Sequence, residues 1–442
     1  MTAPPPHWAI VGGGILGMTL ALRLAEAGRR VVLVEAADRL GGLAAPWSLG
    51  DVVWDRHYHV IAPGDERLLA LLGELGLGSA IAWRTTRTGL WDGARLHSLS
   101  NLAEFLRLPT ISPVGKLRLA ATLLHATHLA DPGRLAETPI EDWLVRWSGR
   151  EVTAAIWAPL LRAKLGDDWR EAAAVFIAAS MRRLYRARRR GSKQESFGHV
   201  QGGYARILAA FAARLAARGV EVRTGCRVTR IRAAAGGHRL ALADGDGLSA
   251  PCVAVTVPAP LVADLLPDLG AAERASYAAI RYQGIVCASL LLDRPLAGFY
   301  VTNLADATLP FTGVIEMSAL VDPAAFGGRH LVYLPRYLPA EDPGFAETDE
   351  AWRGRLLAGL ARLYPDFRPD QVLAFRLSRV RHVFALPRPG QARRLPAIAT
   401  ALPGLAVVNA GHIVDGTLNV DETLGLAARA LGQIADWPAA AA

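Results

Sequence analysis

Trp8-Ala9-Ile10-Val11-Gly12-Gly13-Gly14-Ile15-Leu16-Gly17 is the stretch that decides the architecture of this chain. Its first four residues are an apolar run suited to a strand buried on both faces of a parallel sheet. Glycines then stand at 12, 14 and 17 in the spacing G-x-G-x-x-G. Leu16, Leu20 and Leu24 recur at a helical interval, and Gly28 stands where that helix would end. Val31-Val32-Leu33-Val34 reads as a second strand, closed by Glu35 eighteen residues beyond Gly17. A bare G-x-G-x-x-G is weak, since glycines also mark ordinary tight turns; strand, glycines, helix, strand and terminal acid in register are specific.

Each part has a physical task. Gly12 permits the tight turn, Gly14 lets backbone approach a pyrophosphate, and Gly17 lets the helix lie close to the strand. The helix N-terminus offers free N–H groups and the positive end of its dipole to the phosphates. Glu35 can accept hydrogen bonds from both ribose hydroxyls and would repel a 2′-phosphate, which disfavours NADP. FAD and NAD share this geometry, so the unit alone leaves both open.

Asp38-Arg39-Leu40-Gly41-Gly42 follows at once. Two adjacent glycines allow a second close approach to a long cofactor, and Arg39 can offer a fork of donors to phosphate. At this point the chain resembles the flavin-dependent amine oxidase and protoporphyrinogen oxidase superfamily, in which a D-R-x-G-G segment contacts FAD after the ribose-binding acid. The resemblance extends in order through Gly225-Cys226-Arg227-Val228, Cys252-Val253-Ala254-Val255-Thr256-Val257-Pro258, Gly404 to Gly411 and Asn419-Val420-Asp421. It implies an α/β fold: a Rossmann-like FAD-binding domain of the glutathione-reductase type, and a helical plus antiparallel-sheet substrate domain. It also implies FAD contacts at Gly12, Gly14, Ile15, Leu16, Gly17, Glu35, Ala36, Arg39, Gly41, Gly42, Leu43, Val228, Gly411, Asn419 and Val420. The FAD-binding part is expected from 1–62, 195–262 and 395–442; the substrate part from 63–194 and 263–394, mostly helical over 100–194.

The chain departs from that pattern in places. Gly411-His412 replaces the usual G-D, with Asp415-Gly416 slightly later. No cysteine stands near the C-terminal end to attach a flavin, so FAD is expected to be non-covalent. In Asp51 to Ile61, Arg56 replaces the glycine found where related enzymes pass beside the isoalloxazine. His57 and His59, two apart, would face one side of a strand. They read as one packed and one solvated histidine, or as a pair that brings His59 or Asp55 to the reacting end of the flavin. Lys164, in a helical segment Trp157-Ala158-Pro159-Leu160-Leu161-Arg162-Ala163-Lys164, is an exposed lysine or a catalytic group whose pKa falls on burial. Glu316 is a cavity carboxylate or, in the favoured reading, the exposed residue of an alternating strand. His59, Lys164 and Glu316 are the candidate catalytic residues. Gln201-Gly202-Gly203 would let a ligand approach the following helix. His125 and His128 have no acidic or cysteine partner nearby, and no metal site is expected.

Of 442 residues 52% are hydrophobic and 20% charged, with 43 Gly, 27 Pro and 3 Cys. That composition excludes disorder, collagen-like repeats and a disulfide scaffold. The three cysteines are far apart without C-x-x-C, which argues against zinc or dithiol chemistry. Three of the 49 basic residues are lysines, leaving 46 arginines, a skew typical of a GC-rich genome; with no binding motif beside it, the net charge of +9 does not indicate nucleic acid. Met181 to Lys193 carries seven cations in thirteen residues, a solvated helix face or a contact for membrane or acidic ligand. The charge-free first 22 residues have no basic start and are broken by glycines, so they do not read as a signal peptide, and a cytoplasmic protein is expected, either free or peripheral to the membrane's inner face.

The expected function is hydride transfer from an apolar or amine-type small molecule, lipid-like in the membrane reading, to flavin N5. Two other classes fit the same architecture. One is a reduced-FAD-dependent isomerase of the UDP-galactopyranose mutase type, with Arg281, Arg329 and Arg336 clamping a diphosphate. The other is a non-catalytic flavin-binding partner protein.

Overall fold

The computed structural model describes residues 7–100, 104, 107, 109–129, 131–186 and 195–437. In it, the apolar run Trp8–Val11 (β1) forms the centre of a five-stranded parallel sheet. Val31–Val34 (β2) and Cys252–Val255 flank it, with Val11 opposite Val34 on one side and Val255 on the other. Glu221–Arg223 and Leu405–Val407 close the two edges. The three middle strands are buried throughout, as strands covered on both faces must be.

One face is covered by the helix Ile15–Glu26 (α1), which packs with helices Gly203–Ala217 and Val420–Ile434 through Leu20, Phe211 and Leu426. Each such leucine removed from water contributes about 2 kcal/mol. The opposite face is covered by the antiparallel sheet Val228–Ala234, Gly237–Leu242 and Gly247–Ala250 and by the segment around Val262 and Tyr277.

A second sheet has seven strands in the order Val372–Ala385, Tyr282–Leu292, His330–Pro339, Gly313–Glu316, Val301–Leu304, Thr88–Trp91 and Leu96–Ser98. Every residue of its strand Tyr282–Leu292 is buried. All neighbours are antiparallel except Val301–Leu304 with Thr88–Trp91. The sequence suggests one strand from Arg84 to Trp91, but the chain breaks there. Ile81–Thr85 pairs with Ser196–Val200, Thr86 donates its N–H to Glu195, and Thr88–Trp91 joins the larger sheet.

Helices Ile140–Val152, Ala158–Leu165 and Ala174–Arg186 share an apolar core around Trp143, Leu161 and Phe176, to which Phe384 of the long sheet strand adds. Helix Pro113–Leu124 begins as its sequence dictates, with Ser112 Oγ accepting the Gly115 N–H and proline in the first turn. Residues 187–193 of the basic stretch lie outside the described residues. Among the described residues no helix is long and apolar enough to cross a membrane.

Candidate active site

The glycine loop is held from three directions. Gly12, at φ 109°, donates to Val34 O at 2.8 Å, and a Cβ there would lie 2.4 Å from Thr256 Oγ1. Thr256 donates to Val11 O at 2.9 Å, which explains the threonine of Thr256-Val257-Pro258. Gly17 has no room for a side chain, because a Cβ would meet Gly12 O at 1.9 Å. Gly14 differs: the nearest heavy atom to a Cβ is Gly42 Cα at 3.9 Å, so the space above it is open.

α1 starts at Gly14 with no side-chain cap and no acid in its first turn. The N–H groups of Ile15 and Leu16 thus belong to a helix start that lacks internal partners. Gly41 and Gly42, both at positive φ, lie across the loop: Gly41 N–H donates to Gly13 O at 2.8 Å, and a Cβ on Gly42 would stand 3.1 Å from Gly14 Cα. Leu43 follows, half-buried.

Glu35 directly follows β2 with both oxygens oriented, Oε2 accepting from Gly13 N–H (2.6 Å) and Oε1 from Ala37 N–H (2.7 Å). Ala36 beside it is exposed. Gly225 and Cys226 donate to Ala37 O and Glu35 O, which brings the start of the strand at Val228 next to this acid. Arg39 is exposed and pairs with its neighbour Asp38.

Two buried donors near this cradle have no acceptor, Nε of Arg56 and Nδ2 of Asn409. Another nitrogen of Arg56 donates to Gly42 O at 2.8 Å, and Asn409 Oδ1 accepts from Gly411 N–H at 3.0 Å. Asn419 caps the helix Val420–Ile434 by accepting from Glu422 N–H. It borders a cavity of about 220 Å³ with Asp65, Arg183, Asp415 and Gly416. An uncapped helix start, an open glycine, an oriented carboxylate and orphaned donors together suit a dinucleotide.

Beyond the cradle the interior is aromatic. Tyr58 and Tyr337 share a hydrogen bond between hydroxyls at 2.8 Å. Lys164 Nζ lies 5.8 Å from the Tyr337 ring and 5.9 Å from that of Phe176, which stacks on Phe384. Burial, then the charge of Arg183, lowers Lys164 to about 8. Tyr58, His59, Lys164 and Tyr337 are half-buried, and burial dominates the proton equilibrium of each. The charge of Arg183 is felt at His59, Lys164, Tyr204 and Tyr300. Arg183 is itself held by Asp65 at 2.9 Å.

Several sequence expectations need correction. The strand ends at Asp55, so His57 and His59 follow it and do not lie on it. His57 is buried and His59 half-buried. His57 donates through Nδ1 to Leu43 O and accepts from Ser378 at Nε2, and burial lowers it to about 3. Burial lowers His59 to about 4, with Nδ1 donating to His57 O at 2.9 Å.

Asp55 is turned away from a redox role: Oδ1 accepts from Tyr204 N–H at 2.7 Å and fills the space beside Gly203 that the double glycine had suggested for a ligand. Glu316 is buried, not exposed, and its carboxylate accepts from the N–H groups of Leu296, Ala297 and Gly298, which gives it a structural task. Of the arginines suggested for a diphosphate clamp, Arg281 pairs with Asp168 and Arg329 with Asp51. His125 stacks on Trp147, and no metal-ligating cluster occurs among the described residues. Tyr58, Tyr337, Phe176 and Arg183 were missed from sequence, since only their convergence across distant segments marks them.

A profile of flavin-containing amine oxidoreductases matches residues 17–418, nearly the whole chain. The chain belongs to that family. Within it, the chloroplast protoporphyrinogen oxidase 1 of Arabidopsis thaliana is 25% identical over 372 residues, which are 73% of this chain and 68% of the relative. An oxidoreductase from Methanosarcina mazei has the same fold, with TM-score 0.74 and 18% identity over 96% of this chain and 100% of that one. So does reduced UDP-galactopyranose mutase, with TM-score 0.74 and 16% identity over 97% and 95% of the two chains. Those two likenesses establish the fold alone. Family membership makes this protein a flavin-dependent oxidoreductase.

Proposed function

We propose that the protein binds FAD non-covalently and oxidises a small molecule with a largely apolar body by removing hydride from one of its carbons. The observation that carries this reading is the uncapped helix start above Gly14 combined with an aromatic interior in which Tyr58, Lys164 and Tyr337 are half-buried. Bound FAD supplies the two-electron acceptor for that hydride. Gly12, Gly14, Ile15, Leu16 and Gly17 hold the diphosphate on the helix start, Glu35 takes the ribose hydroxyls, and Gly41 and Gly42 admit the cofactor close to the loop. Val228 and Ala36 stand at the adenine end, and Gly411, Asn419 and Val420 at the other. Tyr58, Phe176, Tyr337 and Phe384 pack the apolar body and exclude water. His59, neutral with Nδ1–H donating, keeps Nε2 as an acceptor. Support for a non-covalent cofactor comes from the cysteines: Cys252 and Cys287 are buried within strands, and Cys226 lies at the ribose end. The mutase reading has less support, because Arg281 and Arg329 are engaged in ion pairs.

The substrate's route suggests a lipid surface. Val114, Leu117 and Leu124 are exposed on one face of the helix Pro113–Leu124. Exposed Tyr185 and the cation Arg182 lie just past the end of this helix, where Tyr185 meets His128 and Arg182 donates to Ala126 O. Apolar side chains beside a cation match an anionic membrane.

The test is the visible spectrum of the purified protein and of its supernatant after denaturation. Flavin bands released into the supernatant support the reading. Bands that stay with the precipitate overturn non-covalent binding, and failure to take up added FAD overturns the proposal.

A further inference from the structure

We infer that Lys164 anchors an acidic group of the substrate, so that the molecule taken up is an apolar body bearing a carboxylate. This rests on the interior being the substrate cavity of the proposed oxidoreductase.

Lys164 makes no hydrogen bond or ion pair among the described residues; what it faces is two aromatic rings, Tyr337 and Phe176. Ring faces attract an ammonium but do not replace the water or carboxylate it would otherwise have. No carboxylate is among the charges that act on Lys164, and Asp65, the partner of Arg183, is engaged by that arginine. The charge that does act on Lys164 is Arg183, another cation. Near pH 7 the ammonium, lowered to about 8, is still mostly protonated. An enclosed cation with no counter-ion is unfavourable on its own and becomes favourable when a ligand brings the negative charge.

Two further features agree. Within the Tyr58–Tyr337 pair one hydroxyl donates to the other, and the accepting hydroxyl keeps its own proton as a second donor beside Lys164's aromatic neighbour. The chain also chooses lysine here against 46 arginines elsewhere, and a compact ammonium on a flexible stem can turn all three of its donors toward an incoming anion. The same cations disfavour a substrate that enters as an ammonium ion, since Lys164 and Arg183 would both repel it.

The experiment titrates decanoate, decanol and decylamine into wild-type protein and Lys164→Met, with binding read by calorimetry and by the flavin difference spectrum. Wild type should bind decanoate about tenfold or more tightly than decanol, and decylamine most weakly. Lys164→Met should lose the preference for decanoate while keeping its affinity for decanol. Wild-type protein that binds decanoate no better than decanol, or decylamine best, overturns the inference without recourse to the variant. FAD content is measured separately from released flavin: a protein without FAD refutes the proposed function, whereas the calorimetric ranking of the three probes still decides the role of Lys164.

Discussion

Gly14 and Gly17 belong to one motif, yet alanine should do opposite things at the two positions. Gly14 has φ −70° and ψ 175°, a conformation open to any residue, and its Cβ would have 3.9 Å of clearance. Gly14→Ala should therefore leave the fold intact and add about 0.4–1 kcal/mol by stiffening the unfolded chain. The added methyl stands over the helix start, where it displaces the diphosphate. Losing two hydrogen bonds to a charged group, at about 1.5–3 kcal/mol each, weakens FAD binding by at least about 3 kcal/mol, or roughly 100-fold. At Gly17 the Cβ would lie 1.9 Å from Gly12 O, so α1 must move off the strand, and Gly17→Ala should destabilise the cofactor-free protein by about 1–3 kcal/mol. Urea denaturation of cofactor-free protein and calorimetric titration of FAD separate the two effects. A Gly14→Ala variant that binds FAD within about twofold of wild type, or that unfolds as easily as Gly17→Ala, would refute the argument.

Burial pushes Asp55 up to about 7, although the Tyr204 N–H pulls it back. The folded protein therefore keeps this proton between about pH 4 and 7 where the unfolded chain has lost it, and stability from Asp55 falls as pH rises through that window, by up to about 4 kcal/mol. Buried neutral His57 and His59 push the other way, so the comparison is with Asp55→Asn, whose denaturation midpoint should lack the Asp55 slope; identical slopes would exclude it. Glu316→Gln keeps the shape but replaces one accepting oxygen by an NH2 group that faces backbone N–H donors, and should cost about 1–3 kcal/mol in urea denaturation while FAD affinity stays unchanged. A fall in FAD affinity at unchanged stability would return Glu316 to the active site. Wild-type protein should sediment with anionic vesicles, and Leu117→Asp combined with Leu124→Asp should abolish this; sedimentation equal in both would remove the membrane contact.

What could be read in the sequence was what nearby residues determine. The strand–glycine–helix–strand unit lies within residues 8–35, and each glycine answers a demand made by the loop itself. Gly41 and Gly42 were legible because two glycines after the acid have few other uses, and the structure sets them against Gly13 and Gly14. The interior was not legible. Tyr58 meets Tyr337 across 279 residues, and His57 meets Ser378 across 321. Glu316 occupies a strand whose flanking pattern permits exposure, and only the turn at 296–298 folding over it shows why it is buried. Asp55 and Gly203 each carried a signal of function, and the two signals cancel once the carboxylate is seen against the helix start.

The sheet that carries the glycine loop also sets an order of events during synthesis. β1, α1 and β2 are neighbours in the chain and can associate early, by closing short loops. Thr256, which fastens that loop from behind, and Leu405–Val407, which closes the sheet, reach the ribosome's exit much later. A nascent chain thus exposes the edge of Trp8–Val11 to solvent and chaperones until more than half the protein has been made. The sheet beneath the glycine loop is therefore completed only when Leu405–Val407 has emerged, near the end of synthesis.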